Sequence, residues 1–307
     1  MSQQQQQQQH QIAAPLAAAA AAAAPATAAG KKKANEPPVY LQLTSEKRQQ
    51  YARAVCMQIY EIKDEQHKTR FANYDIGLVY TTGELFPAPL AEQIREILMH
   101  DIEYQADCEA AFRKKNKQGA IVGTQIIPRK QALFGNFGTS VMLNGARHCS
   151  RSYPRVVAAI KNRVEEITGE TFNMALVTLF KDGWNSMGFV KENEPEEYDK
   201  QAVYALVSFG CPRRFELLYD VEEANRRDGV ANPYIKRRTL TLNSGSLLSL
   251  HPPTNEKWFH SIPRTHDTQP TVAITFRRLA GKFSKLAESK RELKKTEHES
   301  VMAHATK

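Results

Sequence analysis

The segment Asn173–Gly183 reads NMALVTLFKDG, an apolar run that ends in a turn signal. Such a run, rich in β-branched and aliphatic residues, is typical of a buried strand. Similar segments follow it, separated by the turn signals GCP, NSGS and HPPTN: AVYALVSFG, RRFELLY, RTLTLNSG, SLLSL and TVAITFRRL. The pattern between Asn173 and Leu279 therefore predicts a series of short strands.

Three segments before Gly169 have a helical period instead. Apolar residues recur at helical spacing over residues 44–64, again after Pro87, and again from Pro154 to Gly169. Helices followed by many short strands predict an α+β fold built round a β-sandwich or jelly roll.

The two ends of the chain differ in composition from the middle. Residues 1–38 are a Gln tract, an Ala tract and a Lys/Pro stretch, which we expect to be disordered because they offer no core. The predicted organisation is a disordered segment over 1–38, a helical extension over 39–73, a jelly-roll domain over 74–281 and a charged tail over 282–307.

The composition argues against several classes of protein. Apart from the Ala tract, no apolar run is long enough for a membrane span, and the start MSQQQQQQQH lacks the features of a signal peptide. The 4 cysteines contain no CxxC pair, which argues against a zinc module or a disulfide scaffold. We expect an intracellular protein without a membrane partner.

Positive charge is concentrated in one segment. The chain has a net charge of +9, and residues 111–163 contain no Asp or Glu. This segment carries 11 cations: Arg113, Lys114, Lys115, Lys117, Arg129, Lys130, Arg147, Arg151, Arg155, Lys161 and Arg163. It is either a solvated face or a surface for phosphates, and its length without an acid favours phosphates and a nucleic-acid-containing compartment such as the nucleus.

An ordered series of short motifs carries a family resemblance. The series runs PRKQ, FGNFG, TFN, KDG, SFG, GSLL, PTN, WFHSIP and TFRRL, between Pro128 and Leu279. It resembles the AlkB family of Fe(II)/2-oxoglutarate dioxygenases, most closely the eukaryotic DNA-demethylase branch. The resemblance implies a double-stranded β-helix, or jelly roll, with supporting helices. It also implies a facial triad of two His and one carboxylate that holds Fe(II).

The implied metal site departs from the family pattern. The His-x-Asp that should follow KDG falls at Val190-Lys191-Glu192, and the distal His falls at His260. Val190 has no lone pair to offer a metal, and Glu192 keeps a carboxylate on a longer arm. His260 is either a retained ligand or a core histidine, and Glu192 is either an altered ligand or one acid of an exposed run.

The implied co-substrate site departs in the same way. The family's Asn and Tyr before KDG fall at Thr178 and Phe180. The first arginine of its last strand falls at Thr271, while Thr275 and Arg277 match the pattern. A threonine hydroxyl does not replace a guanidinium as a carboxylate clamp. We therefore expect neither Fe(II) nor 2-oxoglutarate as a cofactor, although both are implied if the site works.

The positions that handle nucleic acid in the family are partly kept. Ile121 matches an apolar finger that enters the base stack, and Arg129 and Lys130 lie in PRKQ. With Arg113, Lys114, Lys115 and Lys117, they are the predicted nucleic-acid contacts. The aromatics that sandwich a flipped base fall at Val141 and Leu143, which predicts weak base stacking.

Three functions are consistent with this sequence. The first is an AlkB-like protein without catalytic activity that binds DNA or RNA through a basic face. The second is a divergent but active Fe(II)/2-oxoglutarate-dependent demethylase that uses Glu192 and His260 in DNA alkylation repair. The third is a scaffold whose basic face contacts acidic proteins.

Overall fold

The structure, a computed structural model, describes most of the predicted domain. It describes residues 39–62, 71–73, 78–81, 85–105, 112–115, 121–125, 129–136, 139–143, 146–191, 197–199, 201–219, 237–252 and 254–280. Only the backbone is described for residues 71–73, 78–81, 112–115 and 121–125. The expectations for residues 1–38 and 282–307, and for most of the segment YDIGLVY at 74–80, lie outside these ranges.

The strands are antiparallel throughout and form two main sheets. The large sheet has the order β1-β2-β13-β10-β15-β8-β5, comprising Phe71–Asn73, Leu78–Thr81, Ser246–Leu250, Tyr204–Gly210, Thr271–Arg277, Met174–Phe180 and Lys130–Gly135. The small sheet has the order β12-β11-β14-β9, comprising Arg237–Leu242, Arg213–Tyr219, Trp258–Ile262 and Met187–Lys191. Two hairpins complete the strands: β3 with β4 (Phe112–Lys115, Ile121–Gln125) and β6 with β7 (Ser140–Leu143, Ala146–Cys149).

The helices begin and end at the residues that the sequence signals. Helix α1 spans Ser45–Glu61, and its N-cap Thr44 accepts a hydrogen bond from the backbone N–H of Lys47 at 3.4 Å. Helix α2, Ala88–His100, follows Pro87. Helix α3, Arg155–Thr168, follows Pro154 and ends at Gly169, whose φ of 69° is the left-handed conformation that glycine adopts most readily. A short helix α4 spans Thr254–Lys257.

The large sheet lies between two cores. In β8, Ala175, Val177 and Leu179 pack in the core that contains the three long helices. Phe180, at the other face, packs in a second core with residues of the small sheet such as Phe215. The two sheets thus face one another, with the helices behind the large one. The predicted α+β jelly roll with supporting helices is confirmed.

The predicted extension over residues 39–73 contributes to the helical core. Val55 and Ile59 of α1 are 1% and 0% exposed. The boundary at residue 73 remains a prediction. No helix in the described part of the chain is long and apolar enough to cross a membrane.

We predict that Ile59→Ala lowers the free energy of unfolding by about 2–4 kcal/mol, because it leaves a cavity in a shared core. Met57→Ala, on the exposed face of the same helix, should change it by less than about 0.5 kcal/mol. Urea denaturation followed by tryptophan fluorescence measures both. Equal, small effects would show that α1 does not pack on the domain.

Candidate functional site

Strand pairing places the two histidine positions of the implied metal site opposite one another. In the small sheet, His260 of β14 is the direct partner of Val190 in β9 and of Leu217 in β11. Directly opposed side chains lie on the same face of a sheet, with Cβ atoms about 5 Å apart. Val190 and His260 are therefore close neighbours in the small sheet.

The side chain of His260 is enclosed by aromatic rings. It is 1% exposed, stacks on Phe215 with ring centroids 5.5 Å apart, and lies 5.4 Å from the ring of Tyr204. Burial, reinforced by the charge of Arg277, lowers the pKa of His260 to about 3. The imidazole is therefore neutral over the physiological range.

The described residues do not supply a ligand set for Fe(II). Among them, no group of three or more His, Cys, Asp or Glu side chains is close enough to hold a metal ion. Val190, at the position of the histidine implied after KDG, is 39% exposed and offers only methyl groups. Glu192, the altered carboxylate position, lies outside the described residues.

The implied co-substrate positions lie together, on the face of β8 and β15 turned toward the small sheet. Thr271 pairs directly with Phe180. The Thr271 hydroxyl donates to the carbonyl of Cys211 at 2.7 Å, and the Thr275 hydroxyl donates to the carbonyl of Leu176 at 3.2 Å. Their polar atoms are thus bonded to the backbone of the fold.

The remaining two positions are also engaged. Thr178 accepts a hydrogen bond from the side-chain amide of Gln131 at 3.4 Å. The guanidinium of Arg277 lies over the rings of Tyr198 and Tyr204, at 4.9 and 5.1 Å from their centroids. Arg277 is therefore held in a cation–π arrangement between two tyrosines.

Arg213 is a buried cation that the motif comparison missed. It is 1% exposed, and its guanidinium donates to the carbonyls of Asp182, Asn185 and Pro263 at 3.1, 2.7 and 3.0 Å. It lies 5.1 Å from the ring centroid of Phe180. It therefore fastens the KDG turn to the end of β14. The sequence indicates that Arg213 is buried, because it lies on the same face of the strand RRFELLY as two buried apolar residues.

The predicted nucleic-acid contacts lie mostly on the β3–β4 hairpin. Arg113 and Lys114 pair with Thr124 and Gly123, and after a register shift Lys115 pairs with Ile121. The side chains of these hairpin residues, and Lys117 as a whole, lie outside the described part of the structure. Their contacts with nucleic acid remain predictions.

Four of the later cations of the basic segment have acidic partners that lie outside residues 111–163. The ion pairs, all between 2.7 and 2.9 Å, are Arg147–Glu197, Arg151–Glu103, Lys161–Glu165 and Arg163–Glu166. The charge run seen in the sequence is thus partly neutralised in the fold. The cations of the β3–β4 hairpin become the larger part of the predicted phosphate-facing surface.

PRKQ is joined to the turn after β8. Arg129 is partly buried and donates to the carbonyl of Ser186 at 2.9 Å, and burial lowers its pKa to about 10. Lys130, the first residue of β5, is half-buried. A phosphate contact by either residue remains a prediction.

The two implied base-stacking positions are aliphatic and packed. Val141 is fully buried and belongs to a small core that Leu143 borders, formed by Leu133, Val141, Met174, Leu176 and Leu279. Aliphatic side chains packed in this way offer no ring face to a flipped base.

Comparison with known proteins agrees with this architecture. The model of the 2OG-Fe(II) oxygenase superfamily matches residues 93–291. The mouse protein named DNA oxidative demethylase ALKBH2 is 32% identical over 192 residues, which cover 57% of this chain and 76% of that protein. The human alpha-ketoglutarate-dependent dioxygenase alkB homolog 3 is 32% identical over 123 residues, covering 40% of this chain and 42% of that protein.

These matches establish the family. The chain belongs to the AlkB family of the 2OG-Fe(II) oxygenase superfamily. A solved structure described as "The structure of OsALKBH1" superposes with a TM-score of 0.45 at 15% identity, covering 68% of this chain and all of that one. That superposition is too loose to add to the assignment.

The buried, neutral His260 gives a pH-dependent stability. Its folded pKa, about 3, lies below its unfolded value near 6.5, so the unfolded state binds the proton more tightly. This contribution is fully present above pH 6.5 and is lost as the pH falls toward 3. We predict that unfolding free energies of the unaltered protein and His260→Phe diverge below pH 6.5, by up to about 1.4 kcal/mol per pH unit.

Urea denaturation from about pH 7.5 down to about pH 4.5 measures the divergence. His266→Phe, a change at an exposed histidine, is the matched control for the loss of an imidazole. A pH profile of His260→Phe that is parallel to that of the unaltered protein would contradict the assignment of a neutral core histidine.

Proposed function

We propose that this chain is an AlkB-family protein that binds DNA or RNA through a basic surface and does not carry out oxidative demethylation. The observation that carries the proposal is the pairing of Val190 with His260. A facial triad needs imidazole at both positions, and an isopropyl group leaves one coordination bond unmade.

The co-substrate positions support the same proposal. With Thr271 in place of the implied arginine, one carboxylate of 2-oxoglutarate has no bidentate partner. Phe180, directly opposite, has no hydroxyl to donate. These positions lie on different strands, but both belong to the implied site of one co-substrate. Their joint substitution therefore removes several hydrogen bonds to it.

The nucleic-acid part of the proposal rests on the β3–β4 hairpin and on the relatives. Three consecutive cations lie on β3, and the mouse relative is named as a DNA demethylase. Phosphate contacts require only cations on a stable surface, so they do not depend on an iron site. An intracellular, nucleic-acid-containing compartment such as the nucleus follows from this proposal.

An active enzyme is the second candidate, and the names of the relatives favour it. In that case His260 and Glu192 would hold Fe(II) as an incomplete triad, with water in the place of the missing ligand. The two candidates differ in a measurable way, because only the second one consumes 2-oxoglutarate.

We predict no 2-oxoglutarate-dependent demethylation of methylated oligonucleotides by the unaltered protein. Val190→His alone should not restore it, because Thr178, Phe180 and Thr271 still alter the co-substrate site. The assay follows loss of the methyl group and formation of succinate in the same samples. Turnover that depends on both Fe(II) and 2-oxoglutarate would establish the second candidate.

We also predict nucleic-acid binding that weakens steeply as salt rises, since bound counterions are released from the phosphates. Reversing Arg113, Lys114, Lys115 and Lys117 to Glu should weaken binding about equally for every sequence. For each cation that no longer neutralises a phosphate, the slope of log K against log salt should become shallower by about 0.9 on duplex DNA.

A smaller variant carries only Lys114→Glu and Lys117→Glu. Its matched control carries Lys47→Glu and Arg53→Glu, which change a pair of exposed cations on α1. Fluorescence anisotropy over a salt series compares the two double variants. Equal losses of affinity would show that the hairpin is not the binding surface. Binding to acidic proteins, without nucleic-acid binding, would favour a protein-interaction scaffold.

A further inference from the structure

The turn after β8 displays a large aromatic side chain to solvent. Trp184 is 61% exposed, whereas Trp258, the other tryptophan of the chain, is 3% exposed. The ring of His266 meets Trp184 edge-on, with centroids 6.4 Å apart. Both faces of an indole offer flat apolar area at a small cost in side-chain entropy, which makes an exposed tryptophan a strong contact residue.

Hydrogen bonds within the turn hold its backbone in place. One carboxylate oxygen of Asp182 accepts from the backbone N–H of Trp184 at 2.9 Å and from that of Asn185 at 3.0 Å. The side-chain oxygen of Asn185 in turn accepts from the backbone N–H of Lys181 at 3.0 Å.

Bonds from outside the turn fix it to β11, to the residue before β5 and to the loop after β14. Arg213 of β11 donates to two of its carbonyls, as described above, and Arg129 donates to a third. Gly183 exchanges backbone hydrogen bonds with Asp267 and Thr265, at 2.6 and 2.9 Å. A Cβ at Gly183 would lie 2.5 Å from the Thr265 carbonyl oxygen, so this close approach requires glycine.

Both cations and acids surround Trp184. Lys181 in the same turn and Arg264 on the facing loop are both exposed. Of the nearby acids, Asp182 accepts the backbone bonds of the turn and Asp267 accepts the hydroxyl of Thr265 at 2.8 Å. Through Arg129, the turn is joined to PRKQ, a segment predicted to contact nucleic acid.

We propose that Trp184 is a stacking platform for an unpaired nucleobase of a bound DNA or RNA strand. The inference rests on the proposed nucleic-acid binding and adds that single-stranded or locally unpaired substrate is preferred. The aliphatic residues Val141 and Leu143 offer no stacking surface, while Trp184 offers one on a backbone held by three other segments of the chain. Stacking accepts every base, so the preference concerns strandedness rather than sequence.

The test compares Trp184→Ala, Trp184→Phe and the unaltered protein on a single-stranded oligonucleotide and on its blunt duplex. Trp184→Ala should weaken single-strand binding by about 10-fold, within the range for one stacked base, and duplex binding by much less. Trp184→Phe should recover part of the affinity. The dependence of affinity on salt should be the same as for the unaltered protein, because no phosphate contact is removed.

Intrinsic fluorescence gives a second readout at the same residue. Because Trp258 is buried, quenching of the unaltered protein by the single strand should disappear in Trp184→Ala and persist in Trp258→Phe. Tyr60→Ala, at another exposed aromatic on α1, is the control for general surface effects and should bind normally.

The outcomes separate this inference from the function on which it rests. Absence of nucleic-acid binding by the unaltered protein would overturn both. Normal binding with unchanged affinity and unchanged fluorescence response in Trp184→Ala would overturn the role of Trp184 alone. An equal loss of affinity on single strand and duplex would overturn the preference for unpaired bases.

Discussion

Successive side chains of strands β8 and β15 point alternately into two apolar environments. The rest of the structure depends on this constraint. Side chains of one parity pack against the helices, and those of the other parity point toward the small sheet. Every position of β8 and nearly every position of β15 is buried as a result. A one-residue change of register would exchange the two sets, so the register is strongly specified.

This constraint accounts for the residues found at the implied co-substrate positions. Arginine, tyrosine and histidine in a closed interior each need a partner, and an unpartnered one costs several kcal/mol. Phe180 removes that need, and the hydroxyls of Thr271 and Thr275 bond to backbone carbonyls instead. His260 fits the same interior because it is neutral and stacked on Phe215.

Much of the fold could be predicted from the sequence, because period and turn signals are local. The three long helices and the strands β8, β10, β11, β12, β13 and β15 follow directly from them. Strand β9, MGFVK, could not be predicted in this way, because it contains Gly188 and its middle residues are exposed. Strand β14, WFHSI, was recognised only as a motif, because five residues carry little periodic signal.

The site was predicted less completely, because its chemistry depends on contacts between distant parts of the chain. Val190 and His260, which the motif spacing aligns with the implied histidine ligands, pair directly across β9 and β14. The charge run over residues 111–163 suggested one continuous basic face. Folding, however, brings Glu103 and Glu197 to its arginines, and no count along the sequence shows such pairs. The period of RRFELLY indicates that Arg213 is buried, but its partners are backbone carbonyls, which carry no sequence signature.

We propose that the interior of this jelly roll is a packed core rather than an iron site. Anaerobic calorimetric titration of the full chain with Fe(II) and 2-oxoglutarate, separately and together, tests it most directly. We predict no saturable binding of either one at micromolar concentration, and no gain in affinity when both are present. Stoichiometric binding of Fe(II) that tightens with 2-oxoglutarate, and that is abolished by His260→Ala, would contradict the claim.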